Sequence, residues 1–267
     1  MNVEIYQSYF TQDQLRHLDP EFTAFDNTTN LVPELREYAI NRVVRDMAVN
    51  KKTELWGMFS WQWKQKLNGL TAQAVLDHIN QNPGYDVYFF NAFSHQVPYV
   101  LNVWEQGEWC HPGIVKIIRA VFEHIGLDPN IVYKPMDRAN MFWSCSCVAN
   151  QKFWDGYLDL VHRYHYSLPH LPSEIINLHD SDSNYGIAKL NYFPFIQERL
   201  FSTYLSMHPE IKVLPYQHGE AYYHDHYHIL NRLKATDIDL WRRMRNPYIT
   251  NLYASASDLA EAWLVSK

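Results

Sequence analysis

The chain has 267 residues, of which 47% are hydrophobic, 15% aromatic and 19% charged. This composition excludes an intrinsically disordered protein, and the length suits one domain built around a single hydrophobic core. The formal net charge is −6, and Lys and Arg form no long run. The charge therefore argues against a nucleic-acid-binding surface, because such a surface neutralises many phosphates.

Targeting and redox features of the sequence indicate a cytoplasmic protein. No run of about 18 apolar residues occurs, and the N-terminal segment MNVEIYQSYF has polar residues where a signal peptide is apolar. The cysteines Cys110, Cys145 and Cys147 form neither an even disulfide set nor a C-x-x-C pair, which fits a reducing compartment. We expect the protein to act in the cytoplasm, including at the inner face of the membrane.

The first predicted strand lies at the N-terminus. The short apolar run VEIY at 3–6 predicts a strand, and Gln7, Ser8 and Tyr9 predict the polar loop into which it opens. Ligands of open α/β sheets bind outside the carboxyl ends of the strands. This loop is therefore expected to face a ligand.

The next segments predict alternating strands and helices. FTAFDN at 22–27 and TELWGMFSW at 53–61 predict extended segments, and Thr71 is the predicted N-cap of a helix. Between the two extended segments, apolar residues at spacing four after Pro33 predict a helix that covers one sheet face. These residues are Leu35, Ala39, Val43 and Met47.

The sequence of the central region, residues 86–150, predicts two buried strands. The segment 86–90 contains the continuous apolar run VYFF, which follows Asp86 and ends at Asn91, as expected of a buried parallel strand. The segment 112–127 predicts an amphipathic helix that Gly126 terminates. Residues 140–150 predict another buried strand.

The remaining predictions complete an α/β pattern. Asn150 is the predicted N-cap of a helix over 152–164, 177–184 is a predicted polar loop, and 191–205 a predicted helix. The alternation predicts an α/β fold with a mostly parallel sheet and flanking helices. We expect one domain, with a core over about 1–215 and a helical extension over about 216–267.

Four stretches carry a family resemblance: ELWGMFSWQWKQKLNG at 54–69, GYDVYFFN at 84–91, MFWSCSCVANQKFWDGYL at 141–158 and NYFPFIQERLFSTYL at 191–205. Together they resemble glycosyltransferases encoded in bacterial capsule and O-antigen clusters. The resemblance implies a GT-A-like (Rossmann-like) fold, a nucleotide-sugar donor, and transfer of a hexose to a glycan or lipid-linked acceptor. The sequence lacks G-x-G-x-x-G, P-loop, G-x-S-x-G and H-E-x-x-H motifs, which favours this chemistry over dinucleotide, kinase and hydrolase sites.

Many GT-A enzymes bind a divalent metal with a D-x-D motif at a strand end, and this chain departs from that pattern. Asn91 and Phe93 stand where the carboxylates are expected, and a hard cation prefers carboxylate oxygens. The resemblance therefore implies transfer without a metal, in which cationic side chains stabilise the departing diphosphate. The candidates are Lys64, Lys66 and Arg199. Mn²⁺ or Mg²⁺ bound at Asp180-Ser181-Asp182 is the alternative.

The glycosyltransferase hypothesis assigns roles to residues of this chain. Helical spacing places Glu198 and Arg199 beside the buried stripe of the helix over 191–205. Glu198 is the leading candidate for the base that accepts the acceptor proton, followed by Asp180 and Asp182, and a structural Glu198–Arg199 pair is the alternative. The predicted donor-binding residues are Gln7, Ser8 and Tyr9 at the nucleotide, Asn91 and His95 at the sugar or diphosphate, and Lys66 and Arg199 at the phosphates.

The C-terminal region leaves two alternatives to transfer. His224, His226 and His228 alternate in AYYHDHYHIL, and on a strand they would share one face, as in a zinc-dependent hydrolase. The same His- and Tyr-rich segment, with His218, also suits an acceptor groove or a non-catalytic carbohydrate-binding module. The segment DIDLWRRMRNPYI at 237–249 suggests an amphipathic helix, with peripheral membrane contact as the alternative to core packing.

Overall fold

The computed structural model describes residues 2–30, 32–97, 100–183 and 190–219. They form an α/β structure that divides into two compact units. The first unit contains the described residues within Met1–Ser94, Arg138–His162 and Leu200–Gln217, and the second those within His95–Asp137 and Arg163–Arg199, with His218 and Gly219.

The first unit contains a mixed sheet with the strand order β2-β1-β3-β5-β4-β6. Strand β1 is parallel to β2 and β3, and β4 is parallel to β6. Strand β5 is antiparallel to both of its neighbours, β3 and β4. The strands are β1 (Val3–Tyr9), β2 (Thr23–Asp26), β3 (Leu55–Ser60), β4 (Val87–Phe89), β5 (Cys147–Asn150) and β6 (Val213–Pro215).

The mixed sheet corrects the prediction of a mostly parallel one. The apolar run that predicts β5 fits a strand of either direction, because side-chain alternation is the same both ways. The chain enters β5 at the edge where β4 ends, as shown by the bond from Phe90 N to Ser146 O at 2.9 Å. It therefore runs antiparallel to β4, and the chain does not have to cross to the opposite edge of the sheet before it begins.

Helices follow most of the strands. They are α1 (Arg36–Lys51), α2 (Trp63–Lys66), α3 (Ala72–Gln81), α4 (Val103–Cys110), α5 (Ile114–His124), α6 (Gln151–Ser167), α7 (Ser173–Asp180) and α8 (Phe193–Met207). Within the described residues, every helix falls short of the length and hydropathy that a transmembrane span requires.

Local helix signals in the sequence are confirmed. Thr71 Oγ1 accepts a hydrogen bond from Ala74 N at 3.2 Å and caps α3. Asn150 Oδ1 accepts one from Phe153 N at 2.9 Å at the start of α6. Gly126 follows α5 with φ +75°, a left-handed conformation that glycine adopts without strain.

Three predictions of local structure are wrong. The buried face of α1 is Tyr38, Ile40, Asn41, Val44 and Ala48, whereas Val43, assigned to the buried stripe, is half exposed. The polar segment 7–9 continues β1 instead of forming a loop, because β2 and β3 pair with it on both sides. Residues 177–180 end α7 instead of forming a loop.

The C-terminal part of the described chain adds a strand that the sequence analysis missed. Residues 213–215 form β6 beside β4, and the sequence analysis predicts no strand there. The segment is too short for periodicity to be visible, so pairing with β4 defines it.

The core of the first unit is rich in aromatic residues. Phe59 of β3 contacts Phe22 and Trp63 edge-on, with ring centroids 5.4 and 5.3 Å apart respectively. Trp56 stacks on Trp154 at 4.2 Å. Strands β3 and β5 approach closely at Gly57, where a Cβ would lie 2.2 Å from Cys147 O. Most of the aromatic content thus fills the interior, where each buried ring contributes about 1.5–3 kcal/mol.

Candidate functional site

Five strands of the first unit end at the same edge of the sheet. Strand β5 is antiparallel to both β3 and β4, so β4 runs in the direction of β3, and β1, β2 and β6 share that direction. From β1 the chain passes to β2 on one side and then to β3 on the other. The point between β1 and β3 is therefore the topological switch point, where ligands of open α/β sheets bind.

The end of β1 carries the three residues predicted to contact a nucleotide, and all three are buried. Gln7 Oε1 accepts a hydrogen bond from Asp19 N at 2.7 Å. Tyr9 is the register partner of Asp26, the last residue of β2. The hydrogen bond to Asp26 raises the pKa of Tyr9, and hydrogen bonds from Thr28 and Tyr9 lower the pKa of Asp26. These side chains thus connect β1 to its neighbouring segments.

The two lysines after β3 differ in their surroundings. Lys64 Nζ lies 2.6 Å from Asp19 Oδ2, and the Asp19 side chain is only 4% exposed. Lys66, at the end of α2, is exposed. The buried carboxylate of Asp19 thus holds Lys64, so Lys66 is the lysine better placed to meet a diphosphate from solvent.

Asn91 holds the end of β4 against the segment that precedes β5. Its Nδ2 donates to Met141 O at 3.1 Å, and its Oδ1 accepts from Phe93 N at 3.0 Å and from Trp143 N at 3.4 Å. An aspartate in this place could not donate to the Met141 carbonyl. The hydrogen bonds give a structural reason for an amide at this position, where the D-x-D pattern expected from the resemblance would have a carboxylate.

Aromatic side chains lie in the segments after three of these strands. Phe10 follows β1 and is 37% exposed, and Phe93, after β4, is 38% exposed. Trp61 follows β3, is partly exposed and lies 5.9 Å from the His17 ring. Exposed rings at a ligand edge can stack on bases and on the apolar faces of sugars.

The second unit contains Glu198 and Arg199 on α8. Arg199 is buried and donates from Nε to Val103 O at 2.9 Å, from Nη1 to Phe195 O at 2.8 Å, and from Nη2 to Gln106 Oε1. We call Val103, Gln106, Phe195 and Arg199 the Arg199 cluster.

Glycine at position 107 makes room for the Arg199 side chain. A Cβ there would lie 2.5 Å from Arg199 Nε. Burial lowers the pKa of Arg199. Glu198 is partly exposed, and its Oε2 lies 3.8 Å from Arg199 Nη1. Arg199 therefore joins α4 and α8, and Glu198 is the more accessible of the two charges.

Asp180 belongs to a hydrogen-bonded chain in the second unit. Its Oδ1 lies 2.7 Å from His179 Nδ1, and His179 Nε2 lies 2.7 Å from the Tyr164 hydroxyl. Burial lowers the pKa of His179, although the hydrogen bond to Asp180 opposes that shift. A neutral His179 that donates to Asp180 and accepts from Tyr164 satisfies both contacts and connects α6 with α7. Asp182 follows in an exposed segment.

The structure groups the predicted site residues by unit. Gln7, Ser8, Tyr9, Lys66 and Asn91 lie in the first unit. The second contains His95 in a short 3₁₀ helix over Ser94–Gln96, together with Asp180, Asp182, Glu198 and Arg199.

The metal hypothesis based on histidines falls on residues 224–228, which lie outside the described residues. Across the described ranges, His, Cys, Asp and Glu side chains form no group of three suited to a metal ion.

Two buried polar residues that the sequence analysis missed are Asp19 and His111. His111 Nδ1 lies 2.9 Å from Ser183 O, and the ring stacks on Phe195 at 3.9 Å. Burial lowers the pKa of His111 to about 4. Neither residue belongs to a motif or an apolar stripe, so their burial depends on contacts with residues distant in sequence.

The described fold defines an α/β protein with a candidate ligand edge in its first unit. Comparisons with protein-family models, curated proteins and solved structures give no match. The functional interpretation therefore depends on the residues and their geometry.

Proposed function

We propose that the chain is a glycosyltransferase of GT-A-like fold, which transfers a hexose from a nucleotide-sugar donor to a surface-polysaccharide or lipid-linked acceptor. The proposal rests on the residues that lie at the carboxyl edge of the sheet in the first unit. The switch point between β1 and β3 lies there, together with exposed aromatic rings and Lys66. Bases and sugars stack on such rings, and an ammonium group attracts a diphosphate.

The chemistry of the proposed reaction defines what the protein must supply. The acceptor hydroxyl oxygen attacks the anomeric carbon, and the bond from that carbon to the diphosphate oxygen breaks. The hydroxyl proton passes to a base, for which Glu198 is the leading candidate and Asp180 and Asp182 are the alternatives. Negative charge develops on the diphosphate, where we assign Lys66 as a stabilising cation.

Asn91 supports the metal-independent form of this proposal. Its amide is hydrogen-bonded to three backbone groups, and a neutral amide oxygen is a weaker ligand for Mn²⁺ or Mg²⁺ than a carboxylate. We expect turnover to be unchanged by a chelator. A strict requirement for added Mn²⁺ would contradict this form and direct attention to Asp180 and Asp182.

Ligand binding to the full chain tests the proposal. Saturation-transfer NMR with UDP-, GDP-, CMP- and TDP-sugars should detect at least one donor, and Lys66→Met should weaken its binding about tenfold by removing a charge from the diphosphate. Lys52→Met, at an exposed lysine after α1, is the matched control and should leave the affinity unchanged. Binding of none of these donors would reject the proposed function, and binding of glycans alone would favour a carbohydrate-binding module.

A further inference from the structure

Two histidines of the second unit lie next to each other at its surface. His124 is the last residue of α5, and His170 is the last residue of the 3₁₀ helix Leu168–His170, which follows α6. Both residues are exposed. Their ring centroids are 5.9 Å apart, and the planes of the rings differ by 8°. The proposed transfer reaction assigns no role to either ring.

Hydrogen bonds fix the backbone that carries the two histidines. Arg163 Nη2 on α6 donates to Ile125 O at 2.5 Å and so ties the end of α5 to α6. The 3₁₀ helix continues directly from α6, and Leu171 N donates to Leu168 O at 3.3 Å to close it. Both histidines are thus attached to α6, and their separation is set before a ligand binds, which reduces the cost of ordering.

The separation of the rings suits two imidazoles that share one metal ion. Zn²⁺ binds an imidazole nitrogen at about 2.0–2.1 Å, so each ring centre lies about 3.2 Å from the ion. Two such rings are about 5.2 Å apart at the tetrahedral angle and at most about 6.4 Å apart. The observed 5.9 Å falls within this range. Water completes the coordination, because the described ranges contain no group of three His, Cys, Asp or Glu side chains suited to a metal ion.

The end of α5 favours a cation. The last carbonyl groups of a helix carry partial negative charge, and His124 lies in the last turn of α5. The exposed Glu123 precedes it and adds a carboxylate, whereas the guanidinium of Arg163 at Ile125 O adds an opposing charge. Neutral imidazole nitrogens favour Zn²⁺, Ni²⁺ and Cu²⁺ over Mg²⁺ and Ca²⁺, which prefer oxygen ligands.

We propose that His124 and His170 form a binding site for a late first-row divalent metal ion, which binds Cu²⁺ more tightly than Ni²⁺ or Zn²⁺. The ion joins the end of α5 to the segment after α6 and keeps positions for water. Because the ion binds the folded second unit, it stabilises that unit. The site goes beyond the proposed transfer reaction and does not depend on it.

Titration calorimetry with CuCl₂ and ZnCl₂ on the full chain tests the site. Other histidines can bind the same ions, so the reference protein carries Asn at the three histidines of the AYYHDHYHIL segment, His224, His226 and His228. His124→Asn and His170→Asn should each weaken binding at least about tenfold, because one imidazole remains. His17→Asn, at an exposed histidine of the first unit, is the matched control and should leave the affinity unchanged.

A second measurement keeps both rings intact. Paramagnetic Cu²⁺ added to the reference protein below one equivalent should broaden the amide signals of Gly126 and Leu171, close to the two rings in sequence, before those around His17. Broadening that begins elsewhere, affinity retained in both Asn variants, or no binding by the reference protein would each overturn the inference. None of these results concerns nucleotide sugars, so the proposed function stands or fails separately.

Discussion

The carboxyl edge of the first unit and the Arg199 cluster of the second use polar side chains in opposite ways. At the edge, Gln7 and Trp63 keep buried donors without acceptors in the described part of the chain, and Lys66 is exposed. In the Arg199 cluster, the guanidinium donates to two backbone carbonyls and to Gln106. Polar groups that are hydrogen-bonded within the protein stabilise the fold, whereas exposed polar groups and those without a hydrogen-bond partner are available to bind a ligand.

Neighbouring residues on α8 provide the sharpest test of this difference. We expect Glu198→Gln to reduce turnover by about 10²–10⁴-fold, since it removes a general base and keeps the size of the side chain. The thermal midpoint should change little, because Glu198 is partly exposed. Transfer rates with saturating donor measure the effect. Near-normal turnover in a folded variant would remove Glu198 as the base and leave Asp180 and Asp182.

Arg199→Met should act on stability. It leaves the buried carbonyls of Val103 and Phe195 without the Arg199 donors, which we expect to lower the free energy of unfolding by about 3 kcal/mol. Urea titration measures the change. Arg119→Met, at an exposed arginine that lies over the Tyr133 ring at 5.3 Å, should cost less than about 1 kcal/mol. Equal effects of the two substitutions would contradict a structural role for the Arg199 cluster.

The buried His111 should make the second unit sensitive to acid. Its pKa is about 4 in the folded protein and about 6.5 in an unfolded chain, so protonation favours unfolding. The contribution to stability is present above pH 6.5 and is lost as the pH falls towards 4, by about 3 kcal/mol in all.

Urea titrations between pH 7 and pH 4 measure this dependence. His111→Asn keeps a donor for Ser183 O but does not titrate. It should make the free energy of unfolding less dependent on pH. His124→Asn changes an exposed histidine and serves as the control. A pH dependence that is the same in wild type and His111→Asn would refute the role of His111.

The smallest expected effect concerns Asn91. Asn91→Asp replaces the donor to Met141 O with a carboxylate oxygen, and we expect a loss of about 2 kcal/mol in unfolding free energy. Asn80→Asp, at an exposed position of α3, should be near neutral when measured the same way. If Asn91→Asp kept its stability and gained Mn²⁺-dependent turnover, the edge would be a metal site and the structural reason for the amide would be wrong.

Much of the local structure could be predicted because its signals are local. The caps at Thr71 and Asn150 and the left-handed Gly126 follow from short-range geometry that these residue types favour. The buried face of α1 could not be predicted by spacing-four counting, because several stripes of one helix contain apolar residues. Packing against the rest of the unit buries Val44 and leaves Val43 exposed.

The sequence predicts which edge of the sheet carries the candidate site, but it does not predict the side-chain contacts there. The short runs that end at Tyr6 and near Ser60 and Asn91 indicate strands, and the strand-end rule directs attention to their carboxyl ends. The partner of Lys64 is Asp19, which lies far away in sequence and carries no motif. Sequence patterns give the charge of a side chain but not its distant partner, so Lys64 and Lys66 could not be told apart.

By itself, the sequence determined an α/β chain with capped helices and short apolar strands, because these features depend on near neighbours. The tertiary structure alone decided that β5 is reversed, that Gln7 to Tyr9 are buried within β1, and that Asn91 joins β4 to the segment before β5. Each of these depends on which segments meet across the sheet. Such pairings combine residues distant in sequence, and no local pattern specifies them.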